Sequence, residues 1–153
     1  VVTEDTFLGR VSFFYVLKEE GKTMIKKILI ADDEVNLLKL LKHFFRVRRY
    51  DVILATNGEE ALNKAREEKP DLMILDIMMP KKDGFEVCKE LKLDENYRNI
   101  PIIMLTAKGK ITDKITGKEA GADMYLVKPV DFECLLANVE TLLNKKAVSE
   151  FLW

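Results

Sequence analysis

From residue 24 onward, short runs of successive apolar residues alternate with longer stretches whose apolar residues recur every three or four positions. The first kind reads as buried strands and the second as amphipathic helices. The runs are Ile28-Leu29-Ile30-Ala31, Val52-Ile53-Leu54-Ala55, Leu72-Met73-Ile74-Leu75, Ile102-Ile103-Met104-Leu105 and Tyr125-Leu126-Val127. Apolar residues at successive positions are expected of strands covered on both faces. Strand and helix taking turns in this way predicts an α/β fold around a parallel sheet.

The stretches between the runs carry helix signals. After Asp33, Leu37, Leu41, Phe44 and Phe45 mark one side of a first helix, with Lys39, Lys42 and Arg46 on the other. A second helix starts near Gly58, carries Ala61, Leu62 and Ala65, and ends near Glu68, where Pro70 stops it. A third covers about residues 85–91. Pro101 opens the fourth strand, where a missing N–H is tolerated. A fourth helix over about residues 111–120 contains the poor helix formers Thr112, Thr116 and Gly117. It reads either as a moving part or as a poorly packed one. The last helix has Asp131 as its cap and one apolar stripe of Phe132, Leu135, Leu136, Val139, Leu142 and Leu143.

Residues 24–146 are thus expected to form one domain, which the 153-residue length supports with a substantial core. Residues 1–23 read as an extension or linker ahead of a natural start at Met24. Within it, residues 11–17 fit a strand, whereas Phe7, Val11, Phe14 and Tyr15 fit a helix face. Residues 147–153 read as a tail with no output domain after it. Phe151, Leu152 and Trp153 are too apolar for an ordinary solvated tail, and are expected to cover residues 7–17 or a second copy of the chain.

Composition narrows the function. Charged residues make up 33% and apolar residues 48%, with a formal net charge of −1. That balance argues against general binding to nucleic acid or anionic membranes. No apolar run is long enough to span a bilayer. Glu4 and Asp5 stand where a signal peptide would carry positive charge. Cys88 and Cys134 lie in helical patterns among apolar neighbours and are expected to be buried, reduced thiols of a cytoplasmic protein. With His43 they are too few for a metal site of their own.

The chemistry lies at the ends of the runs. Asp32 and Asp33 close the first, Asp76 the third, Thr106 the fourth and Lys128 the fifth. In an open parallel sheet those ends share one edge, where ligands bind. Clustered carboxylates repel one another, and a hard divalent cation relieves the repulsion. Asp33 and Asp76 are the expected magnesium ligands, with the Met78 main-chain carbonyl as a third. Asp32 is expected in the outer shell, orienting waters. A carboxylate can also attack phosphorus. Phosphoryl transfer then needs positioning and neutralised oxygens, which Mg2+, the Lys128 ammonium and the Thr106 hydroxyl would supply. Pro80 fixes the path of the loop after Asp76, and Gly84 is expected to tolerate positive φ before the third helix. The Lys128-Pro129 bond is a candidate cis peptide that aims Lys128 at the crevice.

Residues 26–144 resemble the receiver domain of two-component response regulators. The motifs are Ile30-Ala31-Asp32-Asp33-Glu34, Leu75-Asp76-Ile77-Met78-Met79-Pro80 with Asp83-Gly84, Leu105-Thr106-Ala107, and Gly121-Ala122-Asp123 through Lys128-Pro129. The resemblance implies a doubly wound, flavodoxin-like (βα)5 fold with strand order 2-1-3-4-5. It implies that Asp76 accepts a phosphoryl group from a phosphohistidine on a sensor histidine kinase or phosphotransfer protein. Asp32 and Asp33 would hold Mg2+ with Asp76, while Thr106 and Lys128 would contact the phosphoryl group. Tyr125 falls at the family's switch-aromatic position, moving with Thr106. The face of helix 4, strand 5 and helix 5 would then change and bind an output partner or form a homodimer.

Apolar Met78 is expected to shield the phosphoryl group from water and lengthen the life of the phosphoaspartate. A haloacid-dehalogenase-like phosphatase would need a second acid at position 78, where this chain has Met78. A nucleotide site would need a glycine-rich first loop in place of Asp32-Asp33-Glu34. A degenerate receiver serving only as an interaction module is the remaining alternative, and the intact Asp76, Thr106 and Lys128 argue against it. The chain is read as a switch that catalyses only its own phosphorylation and dephosphorylation, not as an enzyme with an external substrate.

Overall fold

The computed structural model describes residues 18–19, 22–107 and 120–151. Five parallel strands form one sheet: β1 (Lys27–Ala31), β2 (Asp51–Ala55), β3 (Leu72–Asp76), β4 (Ile102–Ala107) and β5 (Met124–Lys128). Their order is β2-β1-β3-β4-β5, the expected 2-1-3-4-5. The helices are α1 (Val35–Val47), α2 (Gly58–Glu68), α3 (Gly84–Leu93) and α4 (Phe132–Phe151). Ahead of the sheet, Lys18–Glu19 and Lys22–Thr23 pair antiparallel. The expected helix over 111–120 falls, but for its final residue, outside the described residues, as do the expectations for residues 7–17 and for Leu152 and Trp153.

Strand parity sorts the core onto two faces. Ile28, Ile30, Leu72, Ile74, Ile103 and Leu105 pack against α1 and α4, meeting Leu38, Leu41, Phe45, Leu135 and Val139. Leu29, Ala31, Met73, Leu75, Ile102 and Met104 pack against α2 and α3, meeting Ala61, Leu62, Val87, Cys88 and Leu91. Residues 28–31 and 72–75 are fully buried, because β1 and β3 are central and covered on both sides. Each such Leu or Ile contributes about 1.5–3 kcal/mol by leaving water.

Three details differ from the sequence reading. The stripe of α1 centres on Leu38, Leu41 and Phe45, while Leu37 and Phe44 are only partly buried against it. Cys134 is exposed, not buried. It lies beside Ala137 and Thr141 on the outer side of α4, whose inner side carries Leu135, Leu136 and Val139. Gly84 has no positive φ; Lys81 and Gly121 do, at 70° and 89°. What position 84 requires is space, since an added Cβ would sit 3.0 Å from the Ile77 Cα. In addition, α4 continues to Phe151, so the boundary expected at residue 146 falls inside a helix.

Three helix starts carry side-chain caps, and of these the sequence reading named Asp131. Asn57 Oδ1 accepts the Glu60 N–H, and Asp131 Oδ1 accepts the Cys134 N–H, both at 2.8 Å. Asp83 and Glu86 form a reciprocal capping box at α3.

Candidate functional site

The strands deliver the predicted residues to one edge. Asp32 follows β1 and is completely buried. Its Oδ1 accepts the Glu34 N–H at 2.8 Å, just ahead of α1, whose N-cap Glu34 makes no side-chain cap bond. Its Oδ2 accepts from Lys128 Nζ at 2.7 Å. Asp76 is the last residue of β3 and is 7% exposed. Lys128, the last residue of β5, reaches across β4 to lie 3.4 Å from Asp76 Oδ2. The Lys128–Pro129 bond is cis. Asp33 is exposed at the rim. One carboxylate oxygen from each of Asp32, Asp33 and Asp76 lies within 4.8 Å of the other two.

Charge in this crevice is unbalanced. Burial raises the Asp76 carboxyl from 3.8 to about 6; Asp32 and Asp33 push the same way, and Lys128 opposes them. Desolvation works against the Lys128 ammonium, but the hydrogen bond to Asp32 and the charge of Asp76 outweigh it, so its pKa rises. Among the described residues, three carboxylates therefore share one cation. Hard oxygen donors in this arrangement fit a magnesium ion, which binds through one or two carboxylates and keeps waters and phosphate oxygens. Asp33 and Asp76 are the carboxylates best placed to hold it, because both Asp32 oxygens are already engaged.

Thr106 and Tyr125 lie on β4 and β5. Thr106 is 1% exposed, lies one residue beyond the Asp76–Leu105 pair of the ladder, and donates to the Ala107 carbonyl at 3.4 Å. Tyr125 pairs with Met104 in the ladder and packs on the α2 and α3 side. Its hydroxyl is buried without a hydrogen-bond partner among the described residues. Desolvation pushes that phenol up to about 12. Met78, two residues after Asp76, is 60% exposed.

A sequence model described as the response regulator receiver domain matches residues 28–140. The chain belongs to that family. A receiver is the phosphorylation-controlled switch of two-component signalling. This one is 47% identical over 126 residues to the alkaline phosphatase synthesis transcriptional regulatory protein PhoP of Bacillus subtilis, covering 82% of this chain and 52% of that protein. The chain thus spans about half the length of the curated relatives it matches. Among solved structures it resembles the chemotaxis response regulator CheY4 of Vibrio cholerae, at 34% identity and TM-score 0.73, covering 78% of this chain and 99% of that one. It equally resembles the receiver domain of a signal transduction histidine kinase from Syntrophus aciditrophicus, at 34% identity and TM-score 0.74, covering 78% and 91%.

The receiver also uses residues that its sequence did not single out. Asp76 is followed by a loop, residues 77–83, held by backbone contacts. The Gly84 N–H donates to the Ile77 carbonyl at 2.8 Å, and the Gly58 N–H to the Pro80 carbonyl at 3.3 Å. No side-chain chemistry marks Gly58. The only signal available was its place inside Asn57-Gly58-Glu59-Glu60, a helix start on the neighbouring unit.

Proposed function

We propose that Asp76 is the phosphoacceptor of this receiver, with Lys128 and Thr106 as the groups that meet the transferred phosphoryl oxygens. The observation that carries this reading is the cluster of Asp32, Asp33 and Asp76 against the single Lys128 ammonium. Asp33, Asp76 and the Met78 main-chain carbonyl would hold magnesium, with Asp32 in the outer shell. Bound magnesium supplies positive charge to the carboxylates and to a phosphoryl oxygen.

The donor is a phosphohistidine on a sensor histidine kinase or phosphotransfer protein. An Asp76 oxygen attacks phosphorus as the P–N bond breaks, and the leaving imidazole nitrogen takes a proton. Lys128 stabilises charge on one equatorial oxygen. Thr106 turns from the Ala107 carbonyl to a second oxygen, and Tyr125 follows into the space behind it. The unpartnered Tyr125 hydroxyl and the weak Thr106 bond support this motion. Hydrolysis later returns inorganic phosphate and the free carboxylate, so the chain acts on itself alone. The relatives are signalling proteins rather than turnover enzymes.

The changed face, which includes β5 and α4, passes the signal to an output partner or a second copy of the receiver. The net charge of −1 supports a domain that does not itself grip nucleic acid. No described helix is long and apolar enough to cross a membrane. A cytoplasmic setting is where such a kinase would meet the receiver.

Intact mass after incubation with Mg2+ and acetyl phosphate tests the reading. One added phosphoryl group is expected on the parent and none on Asp76→Asn. Equal labelling of both would remove Asp76 from its role. No labelling of either, with no Mg2+ binding, would favour a pure interaction module.

A further inference from the structure

Gly58 opens α2 against the Pro80–Lys82 part of the 77–83 loop. Its N–H and the Lys82 N–H both donate to the Pro80 carbonyl, at 3.3 Å and 2.9 Å. A Cβ at position 58 would penetrate the Lys82 carbonyl oxygen and lie 2.6 Å from its carbon and 2.7 Å from the Lys82 Cβ. Two of these three atoms belong to the backbone, so no change of rotamer clears the space. Gly58 lies outside the left-handed region, so it is a glycine for room and not for conformation.

The other end of the loop is gripped as tightly. The Ile77 N–H donates to the Leu105 carbonyl at 3.1 Å, and the Gly84 N–H to the Ile77 carbonyl at 2.8 Å. Lys81 is held at φ 70°, with its ammonium 3.8 Å from Glu59 on α2, and Lys82 pairs with Glu90 on α3. The loop therefore has no slack. A shift forced at Lys82 must travel toward Ile77 and Asp76 or push α2 off the sheet.

We infer that Gly58 is a positioning residue for phosphoryl transfer: it seats the 77–83 loop against α2 and thereby sets where Asp76 and the Met78 carbonyl stand. The inference rests on Asp76 being the phosphoacceptor. A displacement of about an ångström at a reacting group costs as much as 10²-fold in rate. A seat formed by bare backbone tolerates no added atom.

The test compares Gly58→Ala with Gly121→Ala. Gly121, at φ 89°, is next to Lys92 at the opposite end of the sheet, so its substitution strains the backbone away from the crevice. Acetyl phosphate labelling is followed by intact mass, and Mg2+ affinity by calorimetry, at a temperature where both variants are folded. Gly58→Ala is expected to label about tenfold or more slowly than the parent and to bind Mg2+ more weakly. Gly121→Ala is expected to lose melting temperature while keeping both parental values. Parental labelling and parental Mg2+ affinity in Gly58→Ala would overturn the inference, as would equal losses in Gly121→Ala. If the parent itself takes no phosphoryl group, the assignment of Asp76 fails, and this inference fails with it. If Gly58→Ala does not fold, Pro80→Gly loosens the same loop without adding an atom. Slower labelling would then support the seat, and parental labelling would overturn it.

Discussion

At the amino ends of the strands, Asp71 and Asp123 are each paired with a backbone amide and a lysine; at the carboxyl ends, Asp32, Asp33 and Asp76 crowd around one. Asp71 accepts the Lys27 N–H at 2.8 Å and returns its own N–H to the Lys27 carbonyl at 2.8 Å. Lys26 lies 3.8 Å away. Asp123 does the same with Ile102, at 2.8 Å and 2.9 Å, and accepts Lys92 Nζ at 3.0 Å. These acids extend the ladders of β1 and β4 and fix register. The other three are left with more negative charge than one ammonium balances. One end of the sheet uses its acids for stability, and the other holds them in an arrangement that a bound cation relieves.

The contrast breaks hardest at Lys128. Lys128→Met keeps the stem but leaves the fully buried Asp32 without its cation. Urea unfolding at neutral pH without metal is expected to show a loss of about 3 kcal/mol, part of which Mg2+ restores. An unchanged midpoint would mean that Lys128 holds nothing in place. Next in size is Asp123→Ala, which strands the Ile102 N–H and takes from Lys92 its carboxylate partner while leaving the Arg98 and Ile100 carbonyls. It is expected to cost about 1–2 kcal/mol with no change in labelling by acetyl phosphate; slowed labelling would show that the two ends are coupled. The smallest effect is at the rim. Met78→Asn is expected to speed phosphoaspartate hydrolysis a few-fold, on the order of 1 kcal/mol in barrier. Since Met78 is 60% exposed, it shields only if the phosphoryl group brings it inward.

Residues whose role follows from position along a strand were legible without coordinates. Asp76 after Leu75 and Lys128 after Val127 could be placed at one edge because parallel strands leave no other arrangement. Residues whose role follows from what approaches them were not. Leu38 and Leu37 are adjacent and identical in type, and only the packing of α1 against the sheet decides which is buried. Cys134 and Leu135 differ in the same way on α4. Gly84 was identified, but for its torsion; the Asp76 and Ile77 backbone crowding it is a tertiary fact. Asp71 and Asp123 look like turn residues in one dimension, and their ladder bonds appear only when β1 and β4 lie alongside.

Unfolding of the parent and of Asp76→Asn across pH, with and without Mg2+, tests the central claim most directly. The Asp76 carboxyl ionises near 3.8 in the unfolded chain and near 6 in the folded one. Below 3.8 it is neutral in both states and costs nothing. As pH rises through about 6, ionisation in the crevice costs the folded parent up to about 3 kcal/mol. Without metal, Asp76→Asn should therefore match the parent at pH 4 and exceed it by up to that amount at pH 8. Mg2+ at pH 8 should stabilise the parent far more than the variant and close the gap. Parallel pH profiles with an equal response to Mg2+ would contradict the account, because Asp76 would then be neither the strained carboxylate nor part of the metal site.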